Sequence, residues 1–334
     1  MLKERMTLDE PGLTAYRAAR EDVAVMDRSA WGRVRMAGED RVDFLHRMST
    51  NEVRDLVSGV IRQTILTSDI GRIVAIVTAY AFPDHLLLLT DLGGAQRVIG
   101  HLERYIFFRD RVELADVTEE TGMLSLWGPQ PAPILGDIVE PAISDLATDA
   151  WVETDFDGLT SIVARTDELG LDGFNLIVHR DHVEPLLHRL TEAGAQHMDA
   201  MVYEILRVEA GHPIHGREVG EDFNPLEAGL KPIISFEKGC YIGQEVVARL
   251  DTYDKVKQRL IGVRLERLPV AEERPALTSG GHNVGFLTSW VQSPAYGPIA
   301  LGYVLGKHLE PNLIVEVVDG AGQIVGQVVD LPFF

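Results

Sequence analysis

The feature that most constrains the fold of this chain is an internal duplication. Gly32–Gly38 (GRVRMAG) and Gly122–Gly128 (GMLSLWG) each hold a strand-like core between glycines six apart. A candidate helix follows each: Glu39–Met48 (EDRVDFLHRM) and Pro129–Leu135, with Pro129 at the first helical position, where proline is tolerated. Pro131 and Pro133 predict that the second helix is short or irregular. A hairpin comes next in each copy. Ile73–Tyr80 pairs with His85–Thr90 across Phe82-Pro83-Asp84, and Leu159–Arg165 pairs with Phe174–His179 across Leu169–Gly173. Amphipathic helices then follow at Ala95–Tyr105 and His182–Ala193. Both copies read strand–helix–hairpin–helix with a period of roughly 90 residues, longer than the 20–50 of solenoids. The order is not βαβα with glycine-rich turns, so a Rossmann sheet is not expected.

Beyond about residue 253 the texture changes. Arg259–Leu265, Gly285–Val291, Ile299–Leu305 and Leu313–Val318 are short strands separated by Pro and Gly, the pattern of a small β-barrel or sandwich. The predicted class is therefore α+β: a duplicated unit, then an all-β C-terminal domain, with the boundary near Tyr253–Gln258. An apolar fraction of 46% over 334 residues suits two or three globular domains. The longest apolar run, Ile73–Phe82, is strand-length and falls short of a membrane span. The start, MLKERMTLDEPG, is charged and lacks an apolar core, so no signal peptide is expected. With a single cysteine this points to the cytoplasm. A net charge of −20 argues against binding a nucleic-acid backbone and reads most simply as a solvated acidic surface.

The only cysteine lies in Lys238–Glu245 (KGCYIGQE). It cannot form an internal disulfide, and such a residue is either a reactive thiol or a small buried hydrophobe. Lys238 lies two residues upstream and offers positive charge. Gly243–Leu250 reads as a helix with Val246, Val247 and Leu250 on one face, so Cys240 would precede a helix N-terminus, where a thiolate is favoured. Glu245 opposes this if its carboxylate turns back. Elsewhere the chemistry is sparse. Of eleven histidines, His212 and His215 (HPIH) are three apart, but Pro213 makes the segment a turn and no further ligand pair accompanies it, so no metal site is expected. One thiol cannot alone hold an iron–sulfur cluster. Gly93-Gly94 reads as a turn rather than a phosphate cradle, because no P-loop lysine or GxGxxG accompanies it.

KGCYIGQE resembles the signature of YgfZ-type folate-binding proteins, relatives of the glycine-cleavage T-protein. The likeness extends through Leu206–Gly211 (LRVEAG), Asn224–Leu230 (NPLEAGL), Lys255–Leu260 (KVKQRL) and Ala300–Val304 (ALGYV). LRVEAG and NPLEAGL are common to both groups. The resemblance implies a folate-binding domain over 1–253, with repeats at about 26–115 and 116–215 and a cysteine-motif segment at 216–253. A β-barrel follows at 254–334. It implies tetrahydrofolate or another reduced folate as ligand, iron–sulfur client or assembly proteins as partners, and no direct nucleic-acid or membrane contact. Arg207 matches the family's folate-contacting arginine, which favours a place in the pocket; the other reading is a structural ion pair with Glu209 or Glu227. A pterin edge needs a carboxylate acceptor. The T-protein pattern Gly-Glu-x-Gly-Phe-Glu reads here Gly170-Leu171-Asp172-Gly173-Phe174-Asn175, so Asp172 or Glu168 would substitute for the missing glutamate. Thr67 and Thr90 are expected to line the cavity from the first repeat, and Cys240, activated by Lys238, to be the reactive group.

One departure bears on activity. The T-protein pattern Gly-Gly-x-x-Asp-Asp-Leu-Ile-Val carries an acidic pair, one member of which is catalytic. This chain reads Gly71-Arg72-Ile73-Val74-Ala75-Ile76-Val77, leaving Asp69 as the nearby carboxylate. One-carbon transfer onto a folate nitrogen needs a carboxylate for proton handling and developing charge. The expectation is a folate-binding accessory protein for iron–sulfur cluster assembly or repair. The alternatives are a tetrahydrofolate-dependent aminomethyltransferase or demethylase, and a binding module without chemistry.

Overall fold

The computed structural model describes residues 8–136, 138, 143, 145–270, 274–310, 312–319 and 322–334. Part of the charged N-terminal start, residues 1–7, lies outside them. The chain forms two compact units. One comprises Thr14–Met198 with Ile233–Gln244; the other comprises the chain up to Leu13, Asp199–Pro232 and Glu245–Phe334.

Helix α1 (Glu10–Glu21) leads into β1 (Ala24–Asp27). The first repeat then runs β2 (Trp31–Ala37), α2 (Arg41–Met48), β3 (Ile61–Thr67), β4 (Ile73–Ala81), β5 (His85–Leu92), α3 (Ala95–Leu102) and β6 (Glu113–Asp116). The second runs β7 (Thr121–Trp127), α4 (Pro131–Gly136), β8 (Trp151–Phe156), β9 (Leu159–Thr166), β10 (Gly173–His179), α5 (Val183–Glu192) and β11 (Gln196–His197). Their sheets are ordered β3-β4-β5-β2-β6 and β8-β9-β10-β7-β1-β11. The first four strands correspond position by position, which is the duplication expected from the paired glycine-spaced strands.

Two features go beyond the expected repeat. Each hairpin is a three-stranded meander, because β3 and β8 add a strand ahead of it. The copies also exchange strands. β1 precedes β2 in the chain but pairs with β7, and β6 precedes β7 but pairs with β2. Each sheet is thus completed by the strand that introduces the other repeat.

The β5 run HLLLLT shows how the sheet is buried on both faces. Leu86 and Leu88 pack with Phe44, Leu45, Val98 and Leu102 of the helices on one side. Leu87 and Leu89 point the other way, onto Met123, Trp151 and Ile177 of the second sheet.

In the other unit, α6 (Ala200–Ala210) is capped by Asp199, which accepts from the Met201 and Val202 N–H groups, and is stopped by Gly211 at φ +70°. After α7 (Gln244–Thr252) come β12 (Gln258–Leu265), β13 (Ala276–Ser279), β14 (His282–Ser293), β15 (Gly297–Leu305), β16 (Ile314–Asp319) and β17 (Gly322–Val329). They close a six-stranded barrel, β12-β15-β14-β13-β16-β17, around Val263, Leu277, Leu287, Val304, Val315 and Ile324. Closure leaves no sheet edge. Asp199–Pro232 joins this unit, because α6 packs against β14 and β15. The compact unit therefore begins earlier in the chain than the texture change near residue 253.

Candidate functional site

The cysteine motif is an irregular loop held from below by buried bonds. The Lys238 side chain enters the C-terminal end of α2. Its Nζ donates to the carbonyls of His46 (2.8 Å), Ser49 (2.6 Å) and Asn51 (2.6 Å). The last carbonyls of a helix lack intrahelical partners and carry the negative end of its dipole, so a buried ammonium there works as a distant cap. Burial pushes the Lys238 ammonium down to about 8, against the opposing pull of Glu52. The backbone of the loop is pinned too. Ile242 N–H donates to Arg47 O (3.1 Å), and the Thr67 hydroxyl donates to Ile242 O (2.5 Å). Gly243, at φ +83°, lies so close to the β3–β4 turn that a Cβ would come 2.5 Å from the Ser68 carbonyl oxygen. Only glycine fits there.

Cys240 stands exposed on this platform. The local features invoked for it are arranged differently from the sequence expectation. All three Lys238 donors go to backbone carbonyls, so its visible work is to hold the loop. The helix begins at Gln244, after a turn through Ile242 and Gly243, so Cys240 is separated from the helix start.

Sequence reading missed His46. It is 1% exposed in α2, and its Nδ1 lies 2.9 Å from Glu52 Oε1, off the angle of a hydrogen bond. Neither ring nitrogen has a hydrogen-bond partner among the described residues. A buried polar atom left unpaired costs about 1–3 kcal/mol and calls for an explanation. Nε2 faces the Gly239 backbone, where an added Cβ would lie 3.8 Å away. Burial and then the Lys238 charge hold the imidazole below its ordinary range, with Glu52 pulling the other way. No local signal marks this histidine, because loop and helix are nearly 200 residues apart.

The residues expected to hold a folate are dispersed. Thr67 serves the cysteine loop. Thr90, also buried, donates to Asp91 Oδ1 (2.9 Å) and Ile76 O (3.3 Å), inside a turn that Arg97 closes by pairing with Asp91. Gly93 in this turn takes φ +68°, as the turn reading of Gly93-Gly94 requires. Asp172 accepts from Arg165 Nε (3.0 Å) and Nη2 (3.1 Å) and stays partly exposed, so it retains acceptor capacity. Glu168 is taken up by the buried Arg28, at 2.7 and 3.0 Å.

Arg207 belongs to the barrel unit and is fully buried. Nε and Nη2 donate to Glu204 (2.7 and 2.5 Å), Nη1 to Glu218 (3.2 Å) and the His212 carbonyl (3.3 Å), and Nη2 to Ser289 (2.7 Å). All five guanidinium donors are used, so Arg207 offers no spare donor. Its carboxylate partners are Glu204 and Glu218, where the sequence suggested Glu209 or Glu227. Glu209 instead accepts from Ser293 (2.5 Å), and Glu227 from the Asn224 N–H (3.2 Å). At the acidic-pair position, Ala75 is buried in the apolar core, Ile76 pairs with Ile65, and Asp69 lies exposed in the β3–β4 turn.

Among the described residues, no group of three His, Cys, Asp or Glu is placed to hold a metal ion. No helix among them is long and apolar enough to cross a membrane. Comparison with known proteins places this geometry in a family. Residues 9–238 match the GCVT N-terminal domain, and residues 258–334 match the glycine cleavage T-protein C-terminal barrel domain. A candidate chloroplastic transferase of Arabidopsis thaliana is 33% identical over 310 residues, 92% of this chain and 71% of that protein. The aminomethyltransferase of Rubrobacter xylanophilus is 30% identical over 332 residues, 98% of this chain and 88% of that one. The crystal structure of the glycine cleavage system aminomethyltransferase T of Bartonella henselae has the same fold, with a TM-score of 0.87 at 23% identity, covering 98% of this chain and 91% of that one.

Proposed function

The chain belongs to the glycine-cleavage T-protein family, and from that premise we propose that it is a folate-binding accessory protein of the YgfZ type. In this reading it binds tetrahydrofolate or another reduced folate and supports assembly or repair of iron–sulfur enzymes. The observation that carries the reading is the KGCYIGQE loop. Its backbone is fixed by Lys238, Thr67 and Gly243, while its thiol stands exposed. Such an arrangement suits a group that must meet a partner, whether as a transient ligand or as a redox thiol. The replacement of the acidic pair by Ala75 and Ile76 supports an accessory role over one-carbon transfer, since neither side chain can move a proton. For the folate, Asp172 is the proposed acceptor of the pterin N–H edge, and Thr67 and Thr90 are further proposed contacts from the first repeat.

The test is deletion of the gene in its host, with profiling of iron–sulfur enzyme activities and complementation by wild type and by Cys240→Ala. The reading expects a loss that only the wild type restores; full rescue by Cys240→Ala counts against it. Calorimetry with tetrahydrofolate, on wild type and Asp172→Asn, tests the ligand: no heat with wild type, or equal affinity in both, removes that part.

The second reading is tetrahydrofolate-dependent aminomethyl transfer. It draws support from relatives that carry the name aminomethyltransferase, among them the 30%-identical one. A glycine-cleavage assay with the partner proteins supplied separates the two. Sustained turnover favours transfer, and none favours the accessory role.

A further inference from the structure

Between α3 and β6 the chain makes a turn that buries neither of its two phenylalanines. Tyr105 and Ile106, just before it, pack against the core of the first repeat, and Val112, just after it, is buried there. Phe107 is 64% exposed and Phe108 92%. The turn is nevertheless held firmly. Phe107 N–H donates to Asp110 Oδ2 (3.0 Å), and Asp110 N–H donates to Phe107 O (2.9 Å). Asp110 Oδ1 accepts from Arg47 Nη2 (2.9 Å), which ties the turn to α2. Tight turns are ordinarily built from Gly, Pro, Asn, Asp or Ser. Turn chemistry therefore does not call for these rings, and neither does core packing. The local charge is also unlike that of the chain as a whole. Against a net charge of −20, residues 104–111 carry Arg104, Arg109 and Arg111 and the single carboxylate Asp110. Asp110 is taken by Arg47, and Arg111 pairs with Glu39 and Asp40. Arg104 and Arg109 have no carboxylate partner among the described residues. The Arg109 guanidinium lies over the Phe108 ring, 5.2 Å from its centroid. Aromatic side chains and arginine are the types enriched where proteins dock.

We propose that the Phe107–Phe108 turn is a docking point for a partner protein, whose apolar pocket takes the two rings and whose carboxylates at the pocket rim meet Arg104 and Arg109. Charge complementarity selects the acidic rim, since these two cations are left without a counter-charge on their own chain. The size of the patch selects a heterologous, transient contact. Two phenylalanine side chains offer at most about 500 Å², short of the ~800 Å² per partner of a stable interface, so a dimer of this chain resting on the turn is not favoured. A bilayer of anionic lipid is opposed by the net charge of −20. Because the turn is already ordered, docking would cost little conformational entropy. The inference uses neither Cys240 nor the residues proposed for folate. It is compatible with both readings of function, each of which calls for partner proteins.

The test uses the full-length chain in its host, with the photo-crosslinking residue benzoylphenylalanine in place of Phe108. The control carries it in place of Leu92, an apolar residue of the same unit that is 65% exposed. The expected result is a protein adduct from position 108 and none from position 92. That adduct supports docking only once the captured protein, purified, binds the wild type and binds Phe107→Ser/Phe108→Ser at least about tenfold more weakly. Arg104→Glu/Arg109→Glu should weaken binding too, and added salt should weaken the wild type more than this variant. The substituted side chains are exposed, so the variants should keep the wild-type circular dichroism and melting; if the double phenylalanine variant does not, Phe108→Ser alone carries the comparison. No adduct at 108, the same adduct at both positions, or equal affinity for wild type and the phenylalanine variant overturns the proposal. An adduct to lipid or to a second copy of this chain overturns it as well, and assigns the turn to a bilayer or to self-association. Neither tetrahydrofolate calorimetry nor complementation by Cys240→Ala enters these readouts, so the docking turn and the proposed function can fail separately.

Discussion

Arg207 in the barrel unit and Lys238 in the repeat unit are both buried cations, and the protein accommodates them differently. Arg207 is met by two carboxylates, Glu204 and Glu218, with a hydroxyl and a carbonyl filling its remaining donors. Burial by itself would lower its pKa, but Glu218 and Glu204 outweigh it and the net shift is upward. Lys238 meets three carbonyl dipoles and, among the described residues, no carboxylate at hydrogen-bond distance, and burial wins, taking it down to about 8. Full opposite charges can offset desolvation where partial charges do not. The geometry follows the chemistry: a planar fork suits bidentate carboxylate binding, and a compact ammonium suits a ring of carbonyls at a helix end. The first arrangement locks a helix to a barrel; the second fastens the cysteine loop and leaves it sensitive to pH.

The sharpest way to break this comparison is Arg207→Met. It leaves Glu218 buried without its cation, and about 3–5 kcal/mol of stability should be lost. Urea unfolding at pH 7, followed by a probe in the barrel, measures it; a loss below about 1 kcal/mol would mean the carboxylates do not depend on the guanidinium.

Lys238→Met should cost about 2–3 kcal/mol, because three carbonyls lose a charged donor. The pH dependence has a definite sign. The unfolded lysine titrates near its ordinary 10.5 and the folded one near 8, so between these values the unfolded chain binds more protons. Wild-type stability should therefore rise relative to Lys238→Met as pH climbs from about 8 towards 10.5. A difference that falls across that window would show the carbonyl ring holding the charge as firmly as carboxylates do.

Thr67→Val removes a neutral bond from the same loop and should cost about 0.5–1.5 kcal/mol. Hydrogen exchange at Ile242–Gln244 should quicken with it; unchanged protection would assign the loop's anchoring to Lys238 alone. Asp172→Asn should have the smallest effect on stability, about 0–1 kcal/mol by thermal melting, since its pair with Arg165 is partly exposed. A larger loss would place that pair with the buried ones.

Much of the architecture was legible because it follows local rules. Glycine-spaced strands, hairpins of apolar strand-length runs across turn residues, and amphipathic helices appear where the residues predict them. The misses have physical causes. β3 (IRQTILT) and β8 (WVETDF) mix polar and apolar residues without clean alternation, and their burial comes from the meander around them. The strand exchange between β1 and β6 has no local signature, since a four-residue strand carries too little pattern to name its partner.

The sequence by itself determined the duplication, an all-β C-terminal domain, the lone cysteine in its glycine-flanked motif and the apolar residues Ala75 and Ile76 in the first repeat. These are matters of residue identity and short-range spacing. Only the tertiary structure decided what the buried polar groups do: Lys238 capping a helix nearly 200 residues away, Arg207 spending every donor on its own unit, and His46 presenting a bare nitrogen at Gly239. A charged or polar side chain in the interior takes its role from whichever partners can repay its lost hydration, and those partners are chosen by packing across the chain rather than by position along it.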